Sequence, residues 1–154
     1  GGSATKIGAA VGGTPKEGQK LKTTFLKALP ALNTLITKVQ AASKKGYLIG
    51  LDGRRIRVRA EFAALNTLLQ SAGALICKRW LIEFDRALKT KGLETYCKQV
   101  AWVHDEIQLE VMKGYEKDVG DTAIQSIKKA GEFFSIRCQL DGEYKVGINW
   151  SETH

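Results

Sequence analysis

The sequence predicts an α+β fold in which short antiparallel strands combine with long helices. Three stretches predict it. Val100–Val111, VAWVHDEIQLEV, alternates Ile107, Leu109 and Val111 with Gln108 and Glu110, the period of a strand with one buried face. Tyr47–Arg59, YLIGLDGRRIRVR, places Asp52-Gly53, a strong hairpin-turn signal, between two short strand-like runs. Ala60–Lys91 repeats apolar residues at helical spacing along its whole length.

With 154 residues the chain is one domain or a substantial part of a larger one, and 44% hydrophobic content suffices for a core. No apolar run approaches the roughly 20 residues of a membrane span. The opening GGSATKIGAAVGG lacks the charged-then-apolar design of a signal peptide. Cys77, Cys97 and Cys138 are odd in number and far apart, with no C-x-x-C pair, which argues for a reducing cytoplasm and against a zinc site. The formal charge of +8 is regional: residues 1–59 hold twelve basic residues against two acids, a net of +10, and residues 60–154 twelve against fourteen, a net of −2. A basic region of this kind favours a polyanionic partner over general solubility.

Taken in order, Gly1–Gly13 reads as a loop or a broken helix. Thr14-Pro15-Lys16-Glu17 is a helix start, with Thr14 as N-cap and Glu17 three residues on. Leu21, Phe25, Leu29, Leu32, Leu35, Ile36 and Val39 recur at helical spacing, and Pro30 divides them into two segments or kinks them. After the Asp52-Gly53 turn, Ile56 and Val58 alternate with Arg55, Arg57 and Arg59. That alternation puts three guanidiniums on one face, about 6.8 Å apart along the strand. Phosphates suit such planar, always-charged forks, and few acids lie nearby in sequence.

In Ala60–Lys91 the apolar series is Phe62, Leu65, Leu69, Ala72, Ile76, Leu81, Phe84 and Leu88, and Gly92 ends the helix. A separate stripe carries Asn66, Gln70 and Gly73. Its amides are either ordinary solvated groups or minor-groove readers, since acceptors there are shared by every base pair. Val100–Val103 and Ile107–Val111 form the arms of a hairpin with His104, Asp105 and Glu106 at its tip. Neighbours on an extended chain face opposite ways, so one carboxylate dominates as a metal ligand. Gly114–Phe134 is a further helix with Val119, Ala123, Ile127 and Ala130 inward. Ser135–Leu140 and Tyr144–Ile148 read as strands joined at Asp141-Gly142.

Four ordered motifs, DGRR (Asp52–Arg55), AALNTLLQSAGALICK (Ala63–Lys78), AWVHDE (Ala101–Glu106) and the closing GINWSETH, resemble a family A (Pol I-like) DNA polymerase. Their order and spacing are most similar to the replicative polymerases of T-odd short-tailed phages, and GGSATKIG resembles the segment after that family's O helix. The resemblance covers essentially the whole chain. It implies the C-terminal part of a DNA-dependent DNA polymerase, with distal fingers in residues 1–46 and the motif C half of the palm in residues 47–154. The implied palm is an antiparallel sheet, with the motif C hairpin, backed by long helices.

The resemblance further implies two-metal nucleotidyl transfer with Mg²⁺ and dNTP. Asp105 would ligate metal, Glu106 would act in a secondary role, and His104 would touch the primer-terminal backbone. Arg54, Arg55, Asn66 and Gln70 would hold the primer–template, with Arg57 and Arg59 continuing the phosphate contacts. Motif A, with the other essential aspartate, and motif B lie upstream of the position matching Gly1. The chain alone is therefore expected to be inactive and to need an upstream fragment. His154 matches the family's terminal histidine. A phage or prophage protein in the cytoplasm of a bacterial host is the setting this implies. Phe62 departs from bacterial relatives, which carry arginine there. The alternative is a duplex-binding module that does no chemistry.

Overall fold

The computed structural model describes residues 2–153; Gly1 and His154, the match to the terminal histidine, lie outside the described residues. The elements are α1 (Ala4–Ala10), α2 (Pro15–Ala28), α3 (Pro30–Ser43), β1 (Tyr47–Ile49), β2 (Arg55–Arg57), α4 (Ala64–Lys91), β3 (Cys97–Val103), β4 (Glu106–Val111), α5 (Glu116–Phe133) and α6 (Trp150–Thr153). The strands form two separate antiparallel pairs, β1–β2 and β3–β4. Two compact units divide the chain between Ser71 and Ala72, within α4. No helix among the described residues is long and apolar enough to cross a membrane.

In the first unit the helix starts follow the sequence closely. Thr14 Oγ1 accepts from Glu17 N at 3.3 Å while Thr14 N donates to Glu17 Oε2 at 2.7 Å, a reciprocal cap. Pro30 separates α2 from α3 because the residue before a proline avoids helical angles, and Leu29 sits at φ −125°, ψ 71°. The glycine-rich opening is more ordered than expected, forming the seven-residue α1. Gly8 and Gly18 permit its close crossing with α2: a Cβ on Gly18 would lie 2.0 Å from the Ala4 carbonyl oxygen. A small core joins Val39, Leu48 and Ala64 with Val58, Leu65 and Leu68. Of the apolar series on α2 and α3, Leu21, Phe25, Leu29 and Leu35 remain exposed.

The second unit is built on the C-terminal part of α4. Gly92, at φ 65°, terminates that helix. Leu93 N donates to Leu88 O at 2.9 Å and Gly92 N to Lys89 O at 3.2 Å, the paired bonds of a Schellman end. Leu88 and Leu93 then enter one core with Phe84, Cys97, Val119 and Ala123, against which Ile107, Leu109 and Val111 of β4 pack. Trp80 Nε1 donates to Ala123 O at 2.8 Å and fastens α4 to α5. The expected inward residues of α5 hold, with Val119, Ala123 and Ala130 buried. Thr122 and Ser126 are buried beside them, their hydroxyls donating to the carbonyls of Asp118 and Thr122 at 2.6 and 2.7 Å.

Four expectations need correction. The hairpin arm begins at Cys97 rather than Val100, and Val100 sits at an irregularity between Gln99 and Ala101, 62% exposed. Phe62 and Leu69 are 81% and 59% exposed, because Leu65 and Leu68 are the α4 residues that meet the first core. The first turn of that helix, Glu61–Ala63, is a 3₁₀ turn. Residues 135–148 contain no strand. Leu140 lies against Gly131 and Tyr144 against Gly120, where a Cβ would come within 3.0 and 2.6 Å of those side chains. This segment follows α5 and joins neither edge of the β3–β4 pair.

Candidate active site

The acidic tip arises from the register of the β3–β4 hairpin. Val103 pairs with Glu106, leaving His104 and Asp105 as a two-residue turn. His104 takes φ 56°, in the positive range at a turn position that favours glycine. Its carbonyl accepts the indole Nε1–H of Trp102 at 2.8 Å. Asp105 is exposed at the turn, whereas Glu106 is half-buried as the first residue of β4. The two carboxylates thus have different settings, one on the turn and one on the strand. The amide Nε2 of Gln108 donates to Glu106 Oε1.

Below the tip runs a groove of about 780 Å³, lined by Cys77 and Trp80 of α4, Asp105 and Gln108 of the hairpin, and Gly120 of α5, among others. Burial, and then the negative charge of Asp105, push the Cys77 thiol up from its ordinary value. Among the described residues no group of three or more His, Cys, Asp or Glu side chains is arranged to hold a metal ion. Mg²⁺, however, takes one or two carboxylates and fills its other positions with water and substrate phosphate. The hard oxygen donors of Asp105 and Glu106 fit that ion as a partial ligand set.

The arginines expected to bind DNA lie in the first unit. Arg54 is bound to the Asp52 carboxylate through its Nε. Arg55 and Arg57 lie on the exposed face of β2, and the Arg55 guanidinium stands 4.8 Å from the centroid of the Tyr47 ring. Lys45 Nζ approaches the same ring at 4.7 Å. β2 ends at Arg57, Val58 N still donates to Gly46 O at 3.0 Å, and Arg59 is exposed at the bend that follows. Asn66 and Gln70 are both exposed, one helical turn apart on α4. Arg79, in the second unit, turns to Glu83 and lies 3.5 Å over the Phe133 ring.

Residues 1–152 match the profile of DNA polymerase family A. The chain belongs to that family. It is 40% identical to the DNA-directed DNA polymerase of Enterobacteria phage T3 and 39% identical to that of Escherichia phage T7, with 97% of the chain covered in each case. In each comparison the chain spans 24% of the relative's length. The solved polymerase domain of Pol1 from M. smegmatis, in complex with DNA primer–template and dNTP, superposes with a TM-score of 0.73 at 25% identity. That superposition covers 83% of this chain and 24% of the other.

In this family A chain, His104, Asp105 and Glu106 come together at one tip, while Arg54, Arg55, Arg57, Asn66 and Gln70 lie on exposed surfaces of the first unit. Sequence reasoning missed Trp102 and Gln108, which bond the tip, and Thr153, which touches Gln108. A signal existed for Gln108 alone: it sits two residues beyond Glu106, on the same strand face.

Proposed function

We propose that this chain is part of a DNA-dependent DNA polymerase and contributes the motif C carboxylates to a two-metal nucleotidyl-transfer centre. The observation that carries the reading is Asp105, an exposed carboxylate on a two-residue turn, in a chain matched to the family over nearly its full length. Residues 1–46 would form distal fingers and residues 47–154 the motif C half of the palm. Primer–template DNA and dNTP would be the substrates, as in the M. smegmatis complex. Activity would need a segment carrying motifs A and B, in the cytoplasm of a bacterial host.

Mg²⁺ bound there would supply Lewis acidity toward the primer 3′-hydroxyl and charge neutralisation at the triphosphate. Asp105 would hold the ion directly, and Glu106 would support it from the first position of β4. His104 would position the primer-terminal backbone beside them. Arg55 and Arg57 would bind phosphates through forked donors that remain charged at every working pH. Arg54 would do so less, since Asp52 already engages it. Asn66 and Gln70 would donate to minor-groove acceptors common to all base pairs, checking pairing geometry without reading sequence.

Primer extension by the purified chain, alone and mixed with a fragment carrying motifs A and B, tests this reading. Extension is expected only from the mixture and only with Mg²⁺. Duplex binding by the mixture without extension would favour a binding module that does no chemistry.

A further inference from the structure

Glu106 is engaged along its own strand face. Two residues along β4, Gln108 points its Nε2 at Glu106 Oε1. Its other end, Oε1, lies 3.4 Å from Thr153 Oγ1. An ionised carboxylate only accepts, so the amide must turn its NH₂ to Glu106 and its carbonyl to the hydroxyl. Thr153 Oγ1 also stands 3.1 Å from Trp150 O, so its one proton is divided between two acceptors. Thr153 ends α6, a turn fixed by Glu152, whose carboxylate accepts from Ile148 N and Asn149 Nδ2 at 3.0 Å each. A line of polar contacts thus runs from the last described turn to the second carboxylate of the tip.

We propose that Gln108 is a positioning residue for Glu106 and that Thr153 braces the Gln108 amide. The catalytic consequence rests on the polymerase reading above. A glutamate side chain has three rotatable bonds, and one next to Asp105 is driven away by the like charge. A donor on Oε1 opposes both effects: it fixes the side chain and offsets part of its charge. Gln108 therefore acts on the reaction only through Glu106. Because α6 braces it, a change at the C-terminal turn is felt at the tip.

The test uses the reconstituted polymerase. Gln108→Leu keeps the bulk and removes the donor, and should lower kcat about three- to thirtyfold with little change in KM for primer–template. Thr153→Ser should retain activity, while Thr153→Val should lose part of it. The deciding arm is the Glu106→Ala background, in which Gln108→Leu should have no further effect. An equal loss in both backgrounds would overturn the proposal, since Gln108 would then act by packing. If the wild-type mixture does not extend primers, the polymerase reading falls and the positioning is judged on the chain itself. One Gln108 side-chain amide proton should be shifted downfield in ¹⁵N-edited spectra and return in Glu106→Ala. Amide signals indifferent to Glu106→Ala would refute it.

Discussion

The indole Nε1–H of Trp102 donates to the backbone carbonyl of His104 at 2.8 Å, tying β3 to the first residue of the turn that carries Asp105. His104 occupies positive φ, which a residue with a Cβ adopts at a cost of about 1–3 kcal/mol unless its surroundings enforce it. The Trp102 bond is one such enforcing contact. The bond holds the backbone from which Asp105 projects, which suits the metal-ligand role proposed for it.

Trp102→Phe keeps an aromatic side chain, though a smaller one, and removes the donor. The expected loss is about 0.5–1.5 kcal/mol, the ordinary worth of one such bond. Urea denaturation of the chain measures it as a lower midpoint with unchanged slope. Unaltered stability would mean that the bond does not hold the turn.

The capping box at the start of α2 makes a pH prediction. Backbone and then side-chain hydrogen bonds from Thr14 hold the Glu17 carboxyl below its ordinary value. A folded pKa below the unfolded one gives stability that is present above the unfolded pKa of about 4.3 and lost as pH falls through the lowered value. Thr14→Ala removes the hydroxyl and keeps the backbone N–H donor, so it should reduce that acid dependence without abolishing it. Following Glu17 by NMR titration in both proteins checks it, and identical titrations would contradict the assignment.

Duplex binding by the first unit's basic residues should be insensitive to sequence and steeply dependent on salt. Each phosphate contact contributes about 0.9 to the slope of log K against log salt. Arg55→Ala and Arg57→Ala should each lower the slope by about that much. Arg54→Ala should lower it less, because Asp52 already engages its guanidinium. Fluorescence anisotropy at several salt concentrations gives the slopes, and equal effects at all three positions would remove the distinction.

Local chemistry was legible wherever one residue type dictates a conformation. Thr14 and Glu17 announced the cap, Pro30 the break, Asp52-Gly53 the turn and Gly92 the helix end. Whatever depends on a distant partner was not. Tyr144–Ile148 has strand composition, yet a strand is defined by its neighbour, and Tyr144 instead rests on Gly120. Phe62 and Leu69 have core composition and stay exposed for the same reason. At the tip, Asp105 falls on the turn and Glu106 on β4, a difference set by the hairpin register rather than by strand alternation. The Gln108 and Trp102 bonds depend on side-chain direction in the hairpin, and Thr153 reaches Gln108 from 45 residues away.

The most direct test of the central claim is single-turnover nucleotide incorporation by the reconstituted polymerase carrying Asp105→Ala. A carboxylate that holds Mg²⁺ is worth several kcal/mol of transition-state stabilisation, so incorporation should fall by about a thousandfold or more. Glu106→Ala should cost less, and primer–template affinity should be unchanged in both. Near wild-type incorporation by the Asp105→Ala enzyme would contradict the assignment of this hairpin to the metal site.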